Sequence, residues 1–135
     1  MIPEKIKLNS IGEVETGYIS LLEGADLQFD IKRTYWIYST PDDIIRGKHA
    51  HKELQQIIIA VSGEINFKLE DRFNKQYNIS LKQPTEVLYL PPFVWREITF
   101  SKDAVLICFA SKEYDELEYI RNYDEFQNLI KKYNK

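Results

Sequence analysis

The sequence has little of what a small chain uses to hold itself together without a packed interior. One cysteine in 135 residues excludes a disulfide framework and a thiolate metal centre. Five glycines and five prolines exclude collagen-like and low-complexity architectures. No apolar run approaches the roughly eighteen residues of a membrane-spanning helix, and no targeting segment is visible, so the chain is expected to stay in the cytoplasm. Basic residues number 18 against 21 acidic ones, for a net charge of −3. They are interspersed, without the basic stripe that a nucleic-acid partner requires, and Lys131, Lys132 and Lys135 read as a solvated helix end. Histidine is scarcer still: there are two, His49 and His51.

What is present is the balance of one soluble domain over residues 1–135, 44% hydrophobic and 29% charged. A chain of this length buries roughly two-thirds of its unfolded surface and needs no covalent staple. Cys108 lies in the apolar run Ala-Val-Leu-Ile-Cys-Phe-Ala at 104–110, which predicts a buried structural thiol.

Period-two alternation dominates the body of the chain. Residues 29–38 put Phe29, Ile31, Arg33, Tyr35 and Ile37 on one face, with Trp36 and Tyr38 on the other. A strand follows through Arg46, Gly47 and the histidines. The run 54–61, the turn Ser62-Gly63 and the alternating 64–70 read as a hairpin. Further strands are expected at 77–81, 86–90, 94–100 and 103–110. From Asp124 the period changes: Phe126, Leu129, Ile130 and Tyr133 follow helical spacing, and Asp124 with Gln127 reads as a capping box. About ten strands and one helix predict an antiparallel sandwich or small barrel with the helix packed outside. The segments near Ile6 to Leu8 and Gly17 to Leu22 have two possible partners, this chain or a second subunit. Trp36, Tyr38, Tyr77 and Trp95 are each expected in the core.

His49 and His51, at i and i+2 on a strand, share one face. An exposed pair is the plain alternative, but Arg33 and Tyr35 sit on an otherwise apolar face. A buried cation and phenol need partners, which an anionic, hydroxyl-rich ligand would supply.

Gly47-x-His49-x-His51, then Gln56 and Gly63, resembles the first motif of the cupin superfamily, where two histidines and a glutamate bind a metal inside a small barrel. The second motif aligns with Pro91-Pro92-Phe93-Val94-Trp95-Arg96. Gln56 stands where the family has its glutamate ligand and Arg96 where it has its last histidine. A guanidinium offers no lone pair, so no metal and no other cofactor is expected. Phe29 to Tyr35, Arg46 to Gln56, Val94 to Glu97 and Ala110 to Tyr123 are together more specific. They resemble the nucleotide-sugar 3,4-ketoisomerases of the FdtA, QdtA and WxcM type.

That resemblance implies an all-β cupin double-stranded β-helix with a short C-terminal helix. It implies a homodimer with exchanged N-terminal strands that acts on dTDP-4-keto-6-deoxy-D-glucose and moves the carbonyl from C4 to C3. The product would feed a 3-aminotransferase in deoxyamino-sugar synthesis for surface glycans. His49, His51 and Tyr35 are the expected catalytic residues. Arg33, Arg46, Gln56 and Arg96 are expected to bind substrate, with Gln56 orienting a histidine or a sugar hydroxyl. Arg96 goes with an equatorial C4 hydroxyl in this family, which favours the gluco product; Thr16, with Tyr18 nearby, falls at the position that accompanies it. A non-catalytic sugar-binding cupin and a 3,5-epimerase are the alternatives.

Overall fold

The computed structural model describes residues 1–135. Twelve strands precede one helix: β1 Glu4–Lys7, β2 Ser10–Glu13, β3 Gly17–Ser20, β4 Arg33–Tyr38, β5 Arg46–His51, β6 Gln56–Ser62, β7 Ile65–Glu70, β8 Gln76–Leu81, β9 Glu86–Leu90, β10 Trp95–Phe100, β11 Val105–Ala110, β12 Tyr119–Ile120 and α1 Tyr123–Tyr133. Two five-stranded sheets, ordered β1-β9-β6-β11-β4 and β12-β5-β10-β7-β8, face each other, and β2-β3 form a separate ribbon. Ile58, Phe67, Leu69, Leu88, Ile98 and Leu106 are central to the apolar core, which includes the buried Cys108. No helix is long and apolar enough to cross a membrane.

The expected 54–70 hairpin is not formed. Strand β6 pairs with β9 and β11, whereas β7 pairs with β8 and β10. Gly63 carries the chain from one sheet to the other at φ +69°, where an added Cβ would lie 2.6 Å from Ala104 Cα. Tight turn chemistry marks a reversal of direction, and a jelly roll uses such a turn to change sheets.

The expected 29–38 strand begins only at Arg33. Its alternation holds from there: Arg33, Tyr35 and Ile37 point inward, while Trp36 and Tyr38 are 60% and 64% exposed. Those two aromatics are therefore not core. Tyr77 packs partly buried against the main core, and Trp95 is buried in a second cluster with Ala50, Phe93, Ile120, Phe126 and Ile130. That cluster joins α1 to the back of the second sheet. The helix begins one residue before Asp124, and its cap is Asn122, whose side chain accepts from Glu125 N; Asp124 lies in the first turn. Asn at this position satisfies an amide that has no intrahelical partner.

Strand β1 pairs with β9 of its own chain, and β2 and β3 pair only with each other.

Candidate active site

Strand β5 carries the histidines across the second sheet. Its pairing with β10 slips between Arg96 and Glu97, so that Arg96 opposes His49 and Glu97 opposes Gly47, leaving Lys48 as the extra residue of a bulge. Gly47 and Lys48 both have positive φ, +89° and +55°. Gly47 also lies against Arg96: an added Cβ would be 2.9 Å from its carbonyl oxygen. The bulge has a chemical consequence. Strict alternation would put Arg46 and His49 on opposite faces, yet both line one cavity of about 300 Å³. Arg33, Tyr35, Arg96 and Tyr119 line it too. His51 and Gln56 are buried at 1% and 2% exposure and lie outside the cavity's lining.

The His49 and His51 rings meet edge to face, centroids 4.8 Å apart. His49 Nδ1 is 3.0 Å from Gly47 O. A carbonyl only accepts, so Nδ1 carries the hydrogen and Nε2 keeps its lone pair. His51 Nδ1 is buried without a partner. Burial first, then the Arg96 charge, lowers both imidazoles, His49 to about 3 and His51 further. Both are neutral at pH 7, and neither titrates near the 6.5 of a free histidine.

Arg96 is 2% exposed. Its Nη2 donates to Val94 O at 3.1 Å, and its Nη1 donates to Gln56 Oε1. Gln56 Nε2 in turn donates to the Tyr35 hydroxyl at 2.9 Å and to Cys108 Sγ at 3.3 Å. Gln56 therefore holds Tyr35 and Arg96, and makes no bond to a histidine. Burial, with Cys108 beside it, pushes the Tyr35 phenol well above its usual range, so it is un-ionised. The Arg33 guanidinium lies 5.4 Å from the Tyr35 ring centroid, and its Nε is buried without a partner.

The arrangement offers no obvious metal site. The oxygen at the position of the family's glutamate ligand is occupied by a cation, and nowhere do three His, Cys, Asp or Glu side chains gather to hold an ion. It can instead move protons at neutral imidazoles and stabilise an oxyanion with a guanidinium and a phenol.

One wall of the site comes from residues not singled out in the sequence. Tyr119, opposite His51 in the β12–β5 pairing, touches both imidazoles, with centroids 5.0 Å from His49 and 4.5 Å from His51. The Arg121 guanidinium covers Tyr119 at 4.2 Å and is clamped by Glu116 through contacts of 2.6 and 3.0 Å. The Arg121 and Tyr114 hydrogen bonds hold the Glu116 carboxyl at about 2. Strand β12 has only two residues, too few to show a period. Tyr18 lines a different groove, on the outer face of the first sheet beside Ile59 and Phe109, so within one chain it does not reach the cavity.

A jelly roll with an internal cavity walled by imidazole, phenol and guanidinium groups defines an enzyme of the cupin type. The chain belongs to the FdtA family (WxcM-like, C-terminal), whose model matches residues 3–131. It is 38% identical over 130 residues to the TDP-4-oxo-6-deoxy-alpha-D-glucose-3,4-oxoisomerase of Aneurinibacillus thermoaerophilus, covering 96% of this chain and 93% of that one. The structure of QdtA, a sugar 3,4-ketoisomerase from Thermoanaerobacterium thermosaccharolyticum in complex with TDP, superimposes with TM-score 0.90 at 39% identity, over 97% of this chain and 96% of the other. A 3,4-ketoisomerase from Helicobacter canadensis does so with TM-score 0.89 at 36% identity, over 97% and 98%.

Proposed function

We propose that the chain is a sugar 3,4-ketoisomerase acting on dTDP-4-keto-6-deoxy-D-glucose. It is an isomerase, and relatives matched along almost its whole length support the substrate. The observation that carries the chemistry is a neutral imidazole, His49, that lines one cavity with an un-ionised phenol and a buried guanidinium and is backed by the neutral ring of His51.

The His49–His51 pair removes the proton from C3, next to the C4 carbonyl. The electrons of the broken C3–H bond form the C3=C4 double bond, and the carbonyl oxygen becomes an enediolate. Arg96 and Tyr35 stabilise that charge as it develops. The C3 hydroxyl proton then passes to the C4 enediolate oxygen, C3=O forms, and the imidazolium protonates C4, which leaves the imidazole neutral again. C3 is oxidised and C4 reduced within one molecule, so no external oxidant or reductant is needed. Arg96 acts twice, keeping the imidazoles deprotonated before reaction and stabilising the enediolate during it. Arg33 and Arg46 hold the pyrophosphate, which supplies the partner that Arg33 Nε lacks. The donor set favours turnover without a metal, and Arg96 favours the gluco product.

We assign the enzyme to the cytoplasm, as a homodimer whose product enters deoxyamino-sugar synthesis. The β2–β3 ribbon supports the dimer. Its Ile11, Tyr18 and Ile19 are 60%, 60% and 63% exposed, apolar surface that a second copy would cover.

Incubation with dTDP-4-keto-6-deoxyglucose in heavy water, followed by NMR, tests this reading. Deuterium is expected at C3 of returned substrate or C4 of product, and the C4 configuration is read from the same spectrum. Absence of exchange with the wild-type protein would sink the assignment, and deuterium at C5 would mark an epimerase.

A further inference from the structure

Arg96, Gln56 and Tyr35 form a chain of hydrogen bonds with a fixed direction. A guanidinium only donates, so the bond from Arg96 Nη1 forces the Gln56 amide to present Oε1 to Arg96. The Nε2 end must then face Tyr35, and it donates to the phenolic oxygen at 2.9 Å. That oxygen is an acceptor in this bond, so its own hydrogen points elsewhere. No protein oxygen or nitrogen takes it. Cys108 Sγ also lies against the hydroxyl, but it is a weak acceptor that already receives Gln56 Nε2 at 3.3 Å. Tyr35 lines the cavity, where a sugar oxygen would accept the hydrogen.

We infer that Gln56 is a positioning residue that sets the polarity of Tyr35: held by Arg96, it fills a lone pair of the phenolic oxygen and commits the hydroxyl hydrogen to the substrate. The inference rests on the ketoisomerase reading and deepens it. Tyr35 is thereby a hydrogen-bond donor to the carbonyl and enediolate oxygen, and it is excluded as the base. A glutamate at position 56 would reverse the chain. Its carboxylate accepts from Arg96 and equally from Tyr35, and the hydroxyl turns away from the cavity.

The test compares Gln56→Glu, Tyr35→Phe and the double variant by kcat, KM and C3 deuterium exchange, with TDP binding and thermal melting as controls. Both single variants should lose kcat by a similar factor, on the order of a hundredfold for one lost oxyanion donor, with TDP affinity within about threefold of wild type. The double variant should be no slower than Tyr35→Phe, because both changes remove the same donor. Losses that multiply, or a Gln56→Glu enzyme with wild-type kcat, overturn the inference. If Gln56→Glu does not fold, Gln56→Met replaces it. Its neutral side chain frees the Tyr35 hydroxyl without recapturing it, so its smaller kcat loss must vanish in the Tyr35→Phe background, and persistence there overturns the inference. A wild-type protein that exchanges no deuterium defeats the ketoisomerase reading instead, and the two failures are thus distinct.

Discussion

Two buried polar clusters in this molecule treat their hydrogen bonds differently. At the β7–β8 turn, Asp71 is 1% exposed and accepts from Phe73 N at 2.8 Å, Lys75 N at 3.0 Å and Tyr77 OH at 2.8 Å. Its neighbour Glu70 accepts from Asn74 Nδ2 at 2.7 Å, Gln127 Nε2 at 2.9 Å and Tyr123 OH at 2.6 Å. Every carboxylate oxygen there is occupied by the protein itself. Around the cavity, Arg33 Nε, His51 Nδ1 and Arg96 Nε are buried without partners, three of the four such atoms in the chain, Arg72 Nε being the other. An unpaired buried polar group costs about 1–3 kcal/mol, a cost that a bound ligand offsets. Arg72 lies in the β7–β8 turn itself, so the contrast is one of degree: the turn saturates both carboxylates and leaves one donor open, whereas the cavity leaves three polar atoms open.

The contrast breaks hardest at the histidines. Replacing His49 and His51 together by Asn should reduce C3 exchange by at least about a hundredfold and as much as ten-thousandfold. The protein should still fold, because no protein acceptor or donor loses its only partner at His51. Exchange that survives the double substitution would return the histidines to a structural role. Asp71→Ala is the mirror experiment. It strands two backbone amides and a phenol, and should cost about 3 kcal/mol of stability by urea titration, with kcat per folded molecule unchanged. A large kcat loss would erase the distinction between the clusters.

Acid sharpens the comparison next. Folded His49 binds its proton only near pH 3 and His51 lower still, whereas an unfolded histidine binds one near 6.5. Between those values the unfolded state holds more protons, so stability is complete above pH 6.5 and falls as pH drops toward 3. The slope approaches about 1.4 kcal/mol per pH unit for each histidine. Urea titrations at several pH values should show it, and the His49→Asn, His51→Asn protein should lose most of it. The acid limb of kcat/KM should likewise lie below pH 6.5, since the imidazoles stay neutral there.

Much of this was legible in the sequence because it depends on local period. Alternation put Arg33 and Tyr35 on an otherwise apolar face and His49 and His51 on a common one, and the structure shows Arg33, Tyr35 and His49 lining the cavity with His51 buried behind it. What depends on long-range pairing was not legible. Ser62-Gly63 reads as a hairpin turn whether or not its strands pair, and only the partner strands decide. Trp36 and Tyr38 carry core chemistry on the solvent side of β4, beyond the reach of any periodicity argument. The bulge at Lys48, which brings Arg46 round to the cavity, leaves only a glycine as its trace. Tyr119 reaches the histidines through a two-residue strand.

The smallest effect tests whether the back of β5 influences its front. Ala50 sits between the histidines in sequence and packs with Phe126 and Ile130 of α1. The helix start depends on Asn122, whose side chain accepts from Glu125 N at 3.0 Å. Asn122→Ala removes that cap and should cost about 1 kcal/mol, a drop measurable by thermal or urea unfolding. The buried Phe126 and Ile130 hold the helix through packing rather than through its end, so the fold should persist and kcat should stay at the wild-type value. If kcat falls with the cap, the helix sets the position of His51 through Ala50, and the saturated and open halves of the molecule are coupled after all.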